Sequence, residues 1–117
     1  MLKNARYHDR NHHPVIKRLF PEQDPRTIID MKNIEIKTTC SEHYTILRKQ
    51  IKSAEYFLFF NKNSQFFYIL KAKTLSNLFQ RAYGDYSSVS QKFVSRNAIF
   101  KTRSYTKIRK YIDSIKK

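Results

Sequence analysis

A chain of 117 residues is long enough for one modest core and too short for two. Its 24 Lys and Arg against 9 Asp and Glu leave a net charge of +15, which favours a polyanionic partner, nucleic acid ahead of an anionic membrane. A hydrophobic fraction of 40% with nine Phe and eight Tyr excludes a basic disordered tail, the single cysteine, Cys40, excludes a disulfide or multi-cysteine zinc site, and the single glycine, Gly84, excludes glycine-rich phosphate loops.

In chain order, residues 1–25 read as an irregular, basic segment broken by Pro14, Pro21 and Pro25, with "VIKRLF" able to form a short turn. "RTIIDM" and "IEIKTT" read as two strands rich in β-branched residues. "SEHYTILRKQIKSAEY" places Tyr44, Leu47 and Ile51 at helical spacing behind a Ser41 cap, predicting an amphipathic helix with a basic outer face. "YFLFF" and "QFFYIL", separated by "NKNS", predict a hairpin of central strands covered on both faces. A short helix capped by Thr74 and ended by Gly84 follows. "GDYSSVSQ" then reads as a loop, "FVSRNAIFKTRSY" as the holder of a late strand, and "YTKIRKYIDSIKK" as a basic helix with Ile108, Tyr111, Ile112 and Ile115 on one face. The expected fold is α/β or α+β, a single small domain with a mixed central sheet flanked by helices.

No window offers the roughly 20 apolar residues of a membrane span, and "MLKNARYHDRNHH" has no apolar signal core. An intracellular, cytoplasmic protein without membrane association is expected.

The stretch from residue 26 to 39 carries the chemistry. If Lys32 and Asn33 make a two-residue turn, Met31 faces Ile34 and Asp30 faces Glu35. Met31, Ile29, Ile34 and Ile36 then share one face of the hairpin, and Asp30, Glu35 and Lys37 the other. Two carboxylates directly opposite repel, and a divalent cation removes the repulsion; hard oxygen ligands suit Mg²⁺. Lys37 on the same face is placed to stabilise negative charge developing on a phosphate, or to help deprotonate a water.

Asp30 followed by Glu35-Ile36-Lys37 resembles the PD-(D/E)xK nucleases, the superfamily of the restriction-endonuclease-like fold. In that family the (D/E)xK strand is succeeded by a helix and a further core strand, which "SEHYTILRKQIKSA" and "YFLFF" match, and the likeness covers roughly residues 24–75. The resemblance implies Mg²⁺ or Mn²⁺ held by Asp30, Glu35 and the Ile36 carbonyl, with Lys37 as the catalytic lysine. Asp24, followed by Pro25, is the alternative first ligand, since the family's usual gap is longer than the five residues between Asp30 and Glu35; hairpin register favours Asp30. The family's leading helix, which often supplies an acid, has only residues 1–25 to correspond to it, with Glu22 a weak candidate unless a partner subunit supplies that helix.

Other residues read more plainly. His8, His12 and His13 lack supporting ligands and fit an exposed polar segment, Cys40 fits a small buried side chain, and the aromatic strands fit core rather than base stacking. Arg48, Lys49, Lys52, Arg96, Lys101, Arg103, Lys107, Arg109 and Lys110 are the candidates for phosphate contacts, and the loop from Gly84 to Arg96 for groove contacts. The function expected is a metal-dependent DNA endonuclease using a metal-activated water, as a homodimer if both strands of a defined duplex site are cut. The alternative is a non-enzymatic basic nucleic-acid-binding protein, RNA- or ribosome-associated or regulatory, in which the acids are incidental.

Overall fold

The computed structural model describes residues 13–21, 33–79 and 85–115. In chain order these form helix α1 (His13–Leu19), strand β1 (Ile34–Thr39), strand β2 (His43–Leu47), helix α2 (Arg48–Ser53) and strands β3 (Tyr56–Asn61) and β4 (Phe66–Lys71). Helix α3 (Ala72–Ser76) follows with a 3₁₀ turn (Asn77–Phe79), then strand β5 (Tyr86–Ser90), helix α4 (Gln91–Asn97), strand β6 (Phe100–Thr102) and helix α5 (Tyr105–Ile115).

The main sheet has the order β1-β3-β4-β6. β1 and β3 are parallel, in register from Ile34 opposite Tyr56 to Thr39 opposite Asn61, while β3 with β4 and β4 with β6 are antiparallel. The sheet is therefore mixed and flanked by helices, as expected. β3 and β4 lie in its middle, which explains their unbroken apolar runs: Phe57 to Phe60 and Phe67 to Leu70 are all buried. A tight turn joins antiparallel β3 to β4, with Gln65 at φ 63° and its N–H donating to the Asn61 carbonyl at 2.8 Å. Parallel β1 and β3 require a longer crossover, which β2 and α2 provide.

Each face of the sheet holds its own core. Ile34, Ile36, Leu58, Phe60, Phe67 and Ile69 pack against α1 through Val15 and Leu19, and against α5 through Ile108 and Ile112. Phe57, Phe59, Tyr68 and Leu70 pack on the opposite face against Leu75 of α3, Val94 of α4 and a two-stranded antiparallel sheet of β2 and β5, which contributes Tyr44, Ile46 and Val89. α5 matches the expected terminal helix, its buried Ile108 and Ile112 one turn apart with Tyr111 and Ile115 beside them.

Several expectations are corrected. Residues 13–19 of the segment read as irregular form a helix, entered through Pro14, where a missing N–H costs nothing. The long helix expected over residues 41–56 is strand β2 followed by the six residues of α2. His43 to Ile46 alternate exposed and buried, and the Tyr44-Thr45-Ile46 run suits a pleated surface. The Gln50 side chain accepts the Leu47 N–H at 3.0 Å and so starts α2 where the strand ends. The "GDYSSVSQ" stretch holds strand β5 rather than a loop; of its five strand residues the sequence marks only Val89 as strongly apolar, and pairing with β2 supplies the rest. The late strand is only three residues, preceded by a helix that begins where the Ser90 hydroxyl accepts the Phe93 N–H at 3.1 Å. Thr74 lies inside α3, whose N-cap position is Lys71. Gly84 and the expected strand over residues 26–31 lie outside the described residues.

Candidate functional site: the charged face of strand β1

β1 alternates Ile34, Glu35, Ile36, Lys37, and a strand points successive side chains to opposite faces. The two isoleucines enter the core shared with α1 and α5. Glu35 and Lys37 therefore point to the other face, opposite Phe57 and Phe59 in the parallel register. They sit two residues apart, roughly 7 Å along the strand. Both are buried, at 8% and 9% exposure, in a face otherwise built from aromatic and aliphatic side chains. A charge placed there demands compensation, because desolvating an ion costs several kcal/mol, on the order of magnitude of a domain's whole stability. Glu35, Ile36 and Lys37 each have an interaction partner.

Among the described residues β1 pairs with β3 alone, leaving its outer side as the sheet edge. Asp30, Asp24 and Glu22 lie in the stretch preceding β1, outside the described residues, as do His8 and His12. Among the described residues no three His, Cys, Asp or Glu side chains cluster as a metal site. Glu35 carries the one carboxylate of β1, and the Ile36 carbonyl is the backbone oxygen donor of the residue between it and Lys37.

Next to this face lies a polar network that the sequence did not reveal. The Tyr44 ring meets Phe59, the register partner of Lys37, edge-on at 4.7 Å. Its hydroxyl donates to Gln91 Oε1 at 2.6 Å, which also accepts from Asn61 Nδ2 at 3.0 Å. Asn61, buried at the end of β3, donates further to the Ser41 carbonyl and accepts the Asn63 and Ser64 N–H groups. Burial pushes the Tyr44 phenol far above its ordinary value, against the opposing effect of Asn61, and keeps it a neutral donor. The sequence pattern alone puts Tyr44 on a helix face and Gln91 in a loop open to DNA grooves. Gln91 is instead the hub that ties α4 to β2 and β3. Cys40 is exposed rather than buried, because the chain turns out of the sheet immediately after β1; its carbonyl accepts from Asn63 Nδ2 at 2.6 Å.

The basic residues separate into distinct roles. Arg109 is committed to structure: Nη1 donates to the Leu19 carbonyl at 2.8 Å, Nε pairs with Asp113 at 3.2 Å, and the guanidinium covers the Phe20 ring. It clamps α5 to α1 and leaves the set of phosphate candidates. Arg103 lies over Phe66 with its side chain exposed, and Arg96, Lys101, Lys107 and Lys110 are exposed on α4, β6 and α5. Arg48, Lys49 and Lys52 lie on α2, where Lys52 borders two adjoining grooves. One, of about 380 Å³, includes Arg48, Lys49 and Asp85. The other, of about 470 Å³, runs between α2 and α3 and adds Lys71 and Lys73, two lysines that the sequence pattern did not single out.

That second groove opens at the start of β1 and β3. The Glu55 and Tyr56 N–H groups both donate to the Asn33 carbonyl, at 2.9 and 3.0 Å, and the Ala72 N–H donates to the Glu55 carbonyl at 2.8 Å. These bonds hold Tyr56 and the start of α3 beside the end of β1 that precedes Glu35. No helix among the described residues is long and apolar enough to cross a membrane. No family model, curated protein or solved structure matches the chain.

Proposed function

We propose that the protein is a metal-dependent endonuclease of the PD-(D/E)xK kind, with a restriction-endonuclease-like core. The carrying observation is that Glu35 and Lys37 are both buried on one face of strand β1. Packing does not require two charges there, since the alternate residues of the same strand fill the opposite core with isoleucine. The crossover supports the reading in part: the Glu-x-Lys strand is followed by strand β2, then by the six residues of helix α2 and then by β3, parallel and adjacent to β1.

The donor set suits a hard cation. The Glu35 carboxylate and the Ile36 carbonyl would hold Mg²⁺ or Mn²⁺ together with Asp30, or Asp24, from the preceding segment, since Mg²⁺ binds through one or two carboxylates and keeps several waters. When bound, the ion supplies a water of lowered pKa as the nucleophile. Lys37, with its ammonium on the same face as Glu35, stabilises negative charge on the phosphate oxygens as the phosphodiester is attacked. Apolar neighbours strengthen that interaction by excluding water. DNA is the substrate class favoured by the net charge, and a homodimer provides one centre per strand for duplex cutting. The exposed lysines around α2 favour a second reading, a binding protein without catalysis.

Incubation of supercoiled and single-stranded DNA with Mg²⁺ or Mn²⁺ tests the proposal, comparing the native chain with Glu35→Ala and Lys37→Ala. Metal-dependent cutting lost in both variants is the expected result. Binding without cutting, unchanged in both, selects the second reading.

A further inference from the structure

The described carboxylates are unevenly placed. Glu42 and Glu55 stand just before β2 and β3, Asp85 just before β5, Glu35 is buried on β1, and Asp113 is paired with Arg109. No Asp or Glu occurs from residue 86 to residue 112, and none in α1. The corner where β6 meets α1 and the start of α5 is therefore purely basic, with Arg18, Lys101, Arg103 and Lys107 all exposed there. Its two arginines are held in place. Arg18 lies over the Tyr105 ring at 4.0 Å and Arg103 over the Phe66 ring at 4.6 Å. Tyr105 in turn meets Phe67 edge-on at 4.8 Å. Phe66 and Phe67 are successive residues of β4 and point to opposite faces of the sheet, and Phe67 is the register partner of Thr102. The two guanidinium groups thus stand on either side of the end of β6, where the chain turns into α5. Neither has a carboxylate at ion-pair distance among the described residues. A guanidinium stacked on a ring keeps its N–H edge for a phosphate, and holding it there lowers the entropy cost of binding. With those ring faces covered, the corner offers phosphate donors rather than a platform for bases.

We infer that this corner docks the phosphate backbone of duplex DNA, with Arg18 and Arg103 each on a phosphate and Lys101 and Lys107 adding to the field. A surface that makes no base contact gains only from charge density, and a duplex carries about one charge per 1.7 Å of axis, roughly twice that of either strand alone. The inference rests on the reading above that DNA is the ligand, and deepens it by naming the form of the DNA and where it lies; it does not depend on cleavage. β6 and β1 are opposite edges of the main sheet, about 14 Å apart at the usual strand spacing, so substitutions at this corner leave Glu35 and Lys37 in place.

Fluorescence anisotropy in EDTA tests it, with a labelled duplex of about 20 base pairs, roughly two helical turns, set against one of its strands alone. The duplex is expected to bind at least about fivefold tighter at equal salt. Arg18→Gln combined with Arg103→Gln should make the slope of log affinity against log salt shallower by about 1.8, two phosphates at roughly 0.9 each, and either substitution alone by about half of that. Arg18→Lys combined with Arg103→Lys keeps both charges and should keep the native slope, which a role confined to covering the two rings would not predict. Lys73→Ala, on α3, should leave the slope unchanged. Equal or tighter binding of the single strand, a native slope in the double glutamine variant, an equal loss of slope in the double lysine variant, or as large a change in Lys73→Ala as in either single glutamine variant overturns the inference. Duplex binding with the expected slopes but no cleavage in Mg²⁺ or Mn²⁺ supports the corner and overturns the nuclease reading alone. Metal-dependent cleavage with duplex binding indifferent to Arg18 and Arg103 does the reverse.

Discussion

The two faces of the central sheet are built from the same strands and differ in one respect. Toward α1 and α5, β1 presents Ile34 and Ile36; toward β2, β5, α3 and α4 it presents Glu35 and Lys37. On the first face every described strand contribution to the core cluster is apolar, and hydrophobic burial accounts for it. On the second, two charges are carried into an aromatic surface where apolar residues of similar size would pack without a desolvation penalty. The first face is explained by folding. The second calls for a function, and the difference between them can be broken experimentally.

The largest effect belongs to the apolar face. Ile36→Ala, at a fully buried site, should lower stability by about 2–5 kcal/mol in denaturant unfolding, through lost burial and the cavity left behind. The charged face should behave in the opposite way. Replacing both charges at once, Glu35→Leu with Lys37→Met, should leave unfolding stability unchanged or raise it by about 1–4 kcal/mol, because two buried charged side chains are exchanged for apolar volume. The same double variant should reduce metal-dependent cleavage by at least about a hundredfold. A double variant that unfolds would place the charges among the supports of the fold and erase the contrast.

A smaller effect sharpens the boundary of the charged face. Tyr44 is neutral in the folded and unfolded chain alike at neutral pH, so its shifted ionisation has no influence there. As pH rises past the ordinary phenol value of 10.0, the unfolded chain ionises first, and stability is lost as pH climbs toward the raised folded value. Stability measured from pH 8 to 11 should therefore fall more steeply at the alkaline end in the native chain than in Tyr44→Phe. The smallest effect lies in the β3–β4 turn, where Gln65 adopts a left-handed backbone. Gln65→Gly should change thermal stability by no more than about 1 kcal/mol, upward if relief of the left-handed conformation outweighs the lost bond from Gln65 Nε2 to the Lys62 carbonyl.

The sequence made the core strands legible where one period prevailed. "IEIKTT", "YFLFF" and "FFYIL" could be read as strands because β-branched and aromatic residues run without interruption, and α5 because its isoleucines recur at helical spacing. Where two periods overlapped, the reading failed. Tyr44, Leu47 and Ile51 fit a helical spacing, yet Tyr44 and Ile46 are the inward residues of a strand, and only tertiary pairing with β5 decides between the two. β5 itself is mostly serine, so its strand character comes from its partner. Of the candidate site, Glu35 and Lys37 on one strand face followed from alternation alone. Their burial did not, because it depends on the β2-β5 sheet and on Phe57 and Phe59 across the strand. Arg109 shows the converse: its charge resembled that of its neighbours, and only the approach of α1 reveals a structural clamp.

The most direct test of the charged face is the melting temperature of the native chain and of Glu35→Gln as Mg²⁺ is raised. A cation bound only by the folded state contributes about 2.7 kcal/mol at a hundredfold excess over its dissociation constant. The account predicts a melting temperature that climbs with Mg²⁺ in the native chain and stays level in Glu35→Gln. Equal rises in both, or none in the native chain, would contradict it.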